Sequence, residues 1–224
     1  MSSVIQAVIF DLDGTLVDSN EFHVTAWQRA FQHFGRDFSR EQLHRHIGKG
    51  ADQYLPALLT EEEVRTLGKQ IDEYRSKLFQ KEFLPRVCAF PRVRQLFERV
   101  AGEGRRIALA TSGKEKELSH YKKIACIQDL VDCETTAEDA DHSKPAPDIF
   151  AAALEKLGKP DPGTVLTVGD TPYDAEAAAR TGVATAGVLS GGFSEAELRR
   201  AGMIAIYRDV AGILDHYDSS PLSK

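Results

Sequence analysis

The stretch Val4-Ile-Gln-Ala-Val-Ile-Phe-Asp-Leu-Asp-Gly-Thr15 decides the fold of this 224-residue chain. It begins with mostly apolar, β-branched residues and continues directly into two aspartates and a glycine. A short apolar run of this kind is typical of a strand buried in a sheet that is covered on both faces. The glycine permits a sharp turn out of the strand. We therefore predict a central strand with acidic side chains at its carboxyl end.

Three further apolar segments resemble this strand and alternate with helical patterns. They span residues 106–111, 164–169 and 183–189. Helices are predicted after Pro91 and after Pro147, because proline suits the first turn of a helix, and a third is predicted over 175–181. Strands that alternate with helices indicate βαβ units and a mostly parallel sheet. The fold class predicted for the core is therefore α/β.

Residues 19–85, here called the helical insertion, differ from the rest of the chain. They contain no convincing strand, and Thr60 and Glu63 form the pattern of a helix capping box. Apolar residues recur at steps of three and four over 58–79, as expected for helices packed on one another. Such an insertion could cover a ligand site at the carboxyl ends of the strands. The predicted domain boundaries are 1–18 and 86–224 for the core and 19–85 for the helical insertion.

Composition narrows the function classes. The formal net charge is −6 and no basic stripe is present, which argues against binding to nucleic acid or to a membrane surface. No secretion signal and no apolar segment near the ~20 residues of a membrane span are visible, so a cytoplasmic protein is predicted. The unpaired spacing of Cys88, Cys126 and Cys133 predicts buried reduced thiols. The polar tail 218–224 is predicted to fray.

Four separated polar clusters, which we place at strand ends, carry the candidate chemistry. They are Asp11-Leu-Asp-Gly-Thr15, Thr111-Ser-Gly-Lys114, Ser143-Lys-Pro-Ala-Pro147 and Gly169-Asp-Thr-Pro-Tyr-Asp174. Each cluster alone also suits an ordinary role, such as a turn, a helix cap or a solvated loop. Together they favour a single site, in which the hydroxyls and N–H groups of 111–114 suit an anionic oxygen.

The four aspartates of the first and fourth clusters would repel one another if they converged. At ~4 Å a pair of like charges costs about 4 kcal/mol at an intermediate effective dielectric. One divalent cation and Lys144 would compensate them, and an all-oxygen ligand set favours Mg²⁺ over zinc. In such a site, Asp11 could attack phosphorus as a nucleophile while Asp13 acts as general acid and then as base.

The four clusters, in this order, resemble the motifs of the haloacid dehalogenase superfamily, and the helical insertion resembles its small α-helical cap. The resemblance covers nearly the whole chain. It implies a Rossmann-like core and Mg²⁺-dependent phosphoryl transfer through Asp11, with catalytic roles for Thr111 and Lys144. The metal ligands that it implies are Asp11, Asp170, Asp174 and the backbone carbonyl of Asp13.

Asp13 indicates which subgroup of this superfamily the chain resembles. A halide leaving group needs no proton, so an acid at this position favours phosphatases and phosphomutases over dehalogenases. The chain resembles the branch of phosphoglycolate phosphatases and β-phosphoglucomutases. We predict a monomeric phosphatase of a small phosphorylated metabolite, of the phosphoglycolate or sugar-phosphate type. A non-catalytic binding protein on this scaffold would be expected to lack the nucleophile, the lysine or a metal acid, and all are present.

A sugar-phosphate mutase is the alternative. Phe22-His-x-x-x-Trp27 resembles the β-phosphoglucomutase group, in which the matching histidine couples cap closure to acid–base positioning. That group also has a cap arginine shortly after a glycine, and the segment Ile47–Gln53 contains no arginine. Lys49 could substitute as a point charge, without the bidentate geometry of arginine.

Candidate substrate contacts come from the core and from the helical insertion. The core residues are Ser112, Gly113 and Lys114. From the insertion, Lys49 lies between two glycines that would allow a mobile loop to bring it over the site. The same loop equally suits an exposed helix–helix turn. His23 is the second candidate from the insertion, and it equally suits a partly buried hinge position.

Overall fold

A computed structural model describes residues 4–224, in which a six-stranded sheet forms the centre of the fold. The strands are β1 Ala7–Phe10, β2 Val17–Asp18, β3 Cys88–Ala89, β4 Arg106–Ala110, β5 Cys133–Thr135, β6 Val165–Gly169, β7 Ala184–Val188 and β8 Ala205–Tyr207. The sheet has the order β5-β4-β1-β6-β7-β8, and every neighbouring pair is parallel. β2 and β3 form a separate antiparallel pair.

Helices cover both faces of the sheet, so the predicted α/β class is confirmed. They are α1 Asn20–His33, α2 Arg40–His44, α3 Ala51–Tyr54, α4 Glu61–Leu78, α5 Val93–Gly102, α6 Glu115–Ala125, α7 Asp148–Lys156, α8 Pro172–Ala179, α9 Glu195–Arg200 and α10 Val210–Asp215. Successive residues of β1 point to opposite faces. Val8 and Phe10 join an apolar cluster with α5, while Ile9 joins another with α7. The ring of Phe10 stacks on Phe97 at 4.7 Å.

The helical insertion has its own apolar cluster. Trp27, Phe31 and Tyr54 are buried in it with Ile71 of α4. The predicted capping box at the start of α4 is confirmed, since Thr60 and Glu63 exchange side-chain and backbone hydrogen bonds. A single π-helical turn follows α4 over Phe79–Phe83. β2 and β3 pair at the two ends of the insertion, on either side of residues 19–85. Helices therefore make up the regular structure of this segment.

Several boundaries differ from the sequence prediction. β1 begins at Ala7, three residues later than predicted, and the exposed Val4 precedes it. α8 begins at Pro172, three residues early, because Thr171 caps it. The strands β5 and β8 were not predicted. Each has three residues, too few to show an apolar run, and each pairs with one neighbour at an edge of the sheet.

Two further predictions are wrong. The tail is anchored, since Leu222 is fully buried and the backbone N–H of Ile5 donates to the carbonyl of Lys224 at 2.7 Å. The three cysteines are free thiols but are not buried, because two are exposed and Cys133 is only partly covered. Among the described residues, no helix combines the length and the apolar character needed to cross a bilayer.

Candidate active site

The carboxyl ends of two neighbouring central strands, β1 and β6, place the acidic residues together. Asp11 follows β1, and Asp170 follows the neighbouring β6. Asp174 lies in the first turn of α8. Carboxylate oxygens of these three residues lie within 4.8 Å of one another, and all three side chains are buried. The predicted convergence of separated clusters is therefore observed.

Lys144 lies in the loop between β5 and α7 and is 1% exposed. Its Nζ is 2.5 Å from Oδ1 of Asp11 and 2.7 Å from Oδ1 of Asp174. It also donates to the carbonyl of Ala110 at 3.3 Å. Burial alone would lower the pKa of Lys144, but the two carboxylates outweigh burial and raise it. Lys144 is therefore a fixed positive charge beneath Asp11.

Asp170 is held by short polar side chains. Its Oδ1 accepts from the hydroxyl of Thr15 and its Oδ2 from Nδ2 of Asn20, both at 3.0 Å. Two glycines leave room for this carboxylate, because a Cβ on Gly14 or on Gly191 would lie 2.3 or 1.7 Å from Oδ2. Gly14 also has a φ of +74°, which L-residues with side chains rarely adopt. The close approach of the backbone thus explains why glycines surround Asp170.

Both oxygens of the Asp174 carboxylate have protein partners. Its Oδ1 faces Lys144, and its Oδ2 accepts from the backbone N–H and the hydroxyl of Thr171, at 3.0 and 2.7 Å. The result is a rigid anchor that joins the start of α8 to the lysine.

The cluster has more negative than positive charge. Burial raises the pKa of Asp11 to about 7, although Lys144 opposes the rise. Burial, Asp11 and Asp174 together raise the pKa of Asp170 well above its usual range. Three converging buried carboxylates face one lysine, and such oxygen donors are those that a hard divalent cation prefers. The residues present therefore fit a divalent metal ion.

Asp13 has a different environment. Its Oδ1 accepts from the hydroxyl of Ser19 at 2.5 Å and lies 2.9 Å from Nε2 of His23. Burial would raise the pKa of Asp13, but these two neighbours outweigh burial and lower it to about 2. The imidazole of His23 stacks on Phe79 at 3.9 Å, which fixes the ring. Asp13 is therefore ionised at neutral pH when Ser19 and His23 contact it as they do here.

A cavity of about 310 Å³ opens above Asp11, between the strand ends and the helical insertion. Its volume is at the lower end of the range for small-molecule sites. The predicted site residues that line it are Asp11, Asp13, His23, Lys49, Thr111, Ser112, Gly113 and Lys114. Lys144, Asp170 and Asp174 are not in the lining and lie buried beside Asp11. The predicted residues thus divide into a cavity wall and a buried charge cluster.

Some of the predicted contacts are occupied by other protein groups. The N–H of Gly113 donates to Oγ1 of Thr111 at 2.9 Å, so it is not free for an anion. Nζ of Lys114 donates to the hydroxyl of Ser76 in α4 at 3.0 Å. Nζ of Lys49 lies 4.4 Å above the ring of Tyr173, and burial lowers the pKa of Lys49.

Several residues of the site were not predicted from the sequence. Gly191 follows β7, so the strand-end rule that located the other clusters could have found it. Ser19 and Asn20 come soon after the first cluster, but nothing in their spacing shows that they bind Asp13 and Asp170. Arg75 lines the cavity from α4, and helical periodicity gave no signal for it.

Comparison with known proteins agrees with this geometry. Residues 8–188 match the model of the haloacid dehalogenase-like hydrolase family. The chain is 28% identical over 185 residues to Pyrophosphatase PpaX of Bacillus velezensis, covering 82% of this chain and 83% of that one. It is 30% identical over 195 residues to Phosphoglycolate phosphatase of Aquifex aeolicus, covering 84% and 86%. The crystal structure of a hydrolase from Pseudomonas syringae has a TM-score of 0.83 and 31% identity, covering 96% and 98%.

The matched segment includes all four polar clusters and most of the sheet. The resemblance drawn from the motifs is confirmed. The chain belongs to the haloacid dehalogenase-like hydrolase family.

Proposed function

We propose that the chain is a Mg²⁺-dependent phosphatase that hydrolyses a small phosphomonoester through an aspartyl-phosphate on Asp11. The observation that carries this proposal is the position of the Asp11 carboxylate, which faces a small cavity and bonds to the buried Lys144. The names of the two enzymes compared above, a pyrophosphatase and a phosphoglycolate phosphatase, support phosphate-ester or anhydride substrates.

In the first step, a carboxylate oxygen of Asp11 forms a bond to phosphorus, and the bond from phosphorus to the leaving oxygen breaks. The leaving oxygen takes a proton from Asp13. In the second step, water attacks the same phosphorus, Asp13 accepts the proton of that water, and Asp11 is released as a carboxylate. Lys144 and the hydroxyl of Thr111 restrain the phosphoryl group.

The low pKa of Asp13 suits the second step directly, because the residue is already a base. The first step needs a protonated Asp13. A phosphate dianion placed beside it raises its pKa by like-charge repulsion, and His23 lies at hydrogen-bonding distance to exchange the proton. His23 is therefore proposed as the residue that adjusts the protonation of Asp13.

Asp11, Asp170 and the backbone carbonyl of Asp13 would hold Mg²⁺, with Asp174 completing the site. When bound, the ion supplies positive charge that stabilises the charge developing on the phosphoryl oxygens. The chain itself prepares this site through Thr15 and Asn20, which orient Asp170.

We propose further that residues 19–85 form a cap domain on a core of residues 1–18 and 86–224. The separate apolar cluster of the insertion supports this division, as does the position of the cavity between the two parts. A monomeric, cytoplasmic enzyme and the absence of nucleic-acid or membrane partners remain predictions from the sequence.

A sugar-phosphate mutase is the second candidate. The observation that favours it is the contact of His23 with Asp13, which matches the resemblance of Phe22-His-x-x-x-Trp27 to the β-phosphoglucomutase group. The same Asp11 chemistry would then return the phosphoryl group to a second hydroxyl of the sugar.

Phosphate release from a panel of phosphomonoesters, with Mg²⁺ and with chelator, tests the proposal. The panel includes 2-phosphoglycolate, pyrophosphate and hexose 1-phosphates with a bisphosphate activator, and Asp11→Asn is the control. Metal-dependent release that Asp11→Asn abolishes supports the phosphatase. Conversion of a hexose 1-phosphate to the 6-phosphate with little free phosphate would instead establish the mutase, and turnover by Asp11→Asn would refute the nucleophile.

A further inference from the structure

Arg75 is the arginine of α4 that lines the cavity above Asp11. Its side chain is 13% exposed, and its guanidinium lies 4.7 Å from the centre of the Trp27 ring. Trp27 stacks in turn on the buried Tyr54, at 4.3 Å and nearly parallel. The hydroxyl of Tyr54 donates to the carbonyl of Leu43 at 2.9 Å. Arg75 is thus held at the cavity wall by a stack of rings fixed in the core of the helical insertion.

Protein acceptors within residues 4–224 do not pair all the N–H donors of the Arg75 guanidinium. One of its N–H groups, on Nη2, donates to Asp72 at 3.0 Å. Among residues 4–224, its buried Nε finds no acceptor. Buried donors in folded proteins almost always have a partner. Nη1 also forms no hydrogen bond within residues 4–224 and, unlike Nε, is not fully buried, so it is free to donate to a ligand in the cavity.

The other two cations that line the cavity, both lysines, also contact protein groups. Lys114 donates to Ser76, and Lys49 contacts His46 and the ring of Tyr173. A guanidinium differs from both lysines because its planar fork matches a carboxylate or phosphoryl group with two parallel hydrogen bonds. Arg75 is therefore the cation in the described part of the cavity wall best prepared for a second anionic group.

A phosphoryl group that reaches Asp11 occupies the floor of this small cavity. The remainder of the substrate then lies among the other lining residues, which include Trp27 and Arg75. We propose that Arg75 binds a second anionic group of the substrate, a carboxylate or a second phosphoryl group, and thereby selects short phosphate compounds with a negative charge at both ends. This inference rests on the proposed function, because it takes Asp11 as the phosphoryl site.

Binding measurements test it independently of turnover. In the Asp11→Asn background with Mg²⁺, calorimetry gives the Kd of 2-phosphoglycolate, inorganic pyrophosphate and ethyl phosphate. Ethyl phosphate has the chain length of 2-phosphoglycolate but ends in a methyl group. Arg75→Met should weaken the binding of 2-phosphoglycolate, of pyrophosphate or of both by about 10- to 100-fold, and that of ethyl phosphate by less than about 2-fold. The reason is that only the doubly anionic ligands lose a charge-assisted hydrogen bond.

Two further variants keep the outcome interpretable. Arg65→Met is the matched control, because Arg65 lies on the same helix with its side chain 75% exposed, and it should change no Kd. Arg75→Lys retains the charge and loses the fork, so an intermediate loss is expected, and it replaces Arg75→Met if that variant fails to fold.

Equal weakening of all three ligands by the Arg75 variants, or no weakening of any, would overturn the inference. The two anionic ligands then identify the distal group, since the larger loss marks the group that Arg75 binds. The proposed function fails separately, if the wild-type chain releases no phosphate from any member of the panel even though these binding preferences hold.

Discussion

Adding one methyl group at Gly191 should disable the metal site. Its backbone lies outside the left-handed region, so alanine is sterically allowed by the main chain. A Cβ at this position would nevertheless lie 1.7 Å from Oδ2 of Asp170, whereas ordinary contact begins at 3.4 Å. The carboxylate or the loop must therefore move by the difference, about 1.7 Å. Such a shift breaks the 3.0 Å hydrogen bond from Asn20 to Asp170.

The expected loss of activity follows from this displacement of about 1.7 Å. A misplacement of ~1 Å in an active site costs roughly 100-fold in rate. We expect Gly191→Ala to lower kcat by about 100-fold or more and to weaken Mg²⁺ binding by at least about 10-fold. Mg²⁺ titration by calorimetry and phosphate release measure the two effects. Gly102→Ala is the matched control, because a Cβ at this position would meet no side chain or backbone atom within 4 Å apart from its own chain neighbours and helix backbone. If Gly191→Ala binds Mg²⁺ and turns over like wild type, the assigned position of Asp170 is wrong.

Three other perturbations test separate parts of the structure. Lys144→Met leaves buried carboxylates without their positive charge, so urea unfolding in chelator should show a loss of about 3–5 kcal/mol; an unchanged midpoint would contradict the charge assignment. Mg²⁺ at 100 times its Kd should raise the free energy of unfolding by about 2.7 kcal/mol. Asp170→Asn should remove most of that gain, and a gain of equal size would show that the ion binds elsewhere. Leu222→Ala should cost about 2–5 kcal/mol in urea unfolding, because Leu222 is fully buried; a change near zero would restore the prediction of a frayed tail.

The central strands were predictable because each carries a local signal. β1 joins an apolar run to a pair of aspartates, and its neighbours β4 and β6 show similar runs before polar clusters. The edge strands β5 and β8 have three residues each, and Cys133-Glu-Thr135 contains no apolar run. Their strand conformation comes from pairing with a neighbour, which is a tertiary effect that local sequence does not record.

The residues of the site likewise divide into those that the sequence predicts and those that it does not. Asp11 and Asp170 were predictable because polar residues at the ends of parallel strands meet at one edge. Lys144 was predictable from its motif and from the positive charge that converging aspartates require, although the strand before it, β5, was not predicted. The supporting contacts were not predictable, since Asn20 lies 150 residues from Asp170 in sequence. Arg75 could not be identified because its role depends on how α4 faces the core. Helical periodicity shows which side of a helix is apolar, but it does not show which other element that side meets.

The most direct test of the account is to trap the phosphorylated enzyme. Acid quenching during turnover of the best substrate, followed by borohydride reduction, converts an aspartyl-phosphate to homoserine, which peptide mass spectrometry locates. We expect homoserine at position 11 in the wild type and none in Asp11→Asn. Phosphate release with Asp11 unmodified at every quench time, or homoserine at another aspartate, would contradict nucleophilic catalysis by Asp11.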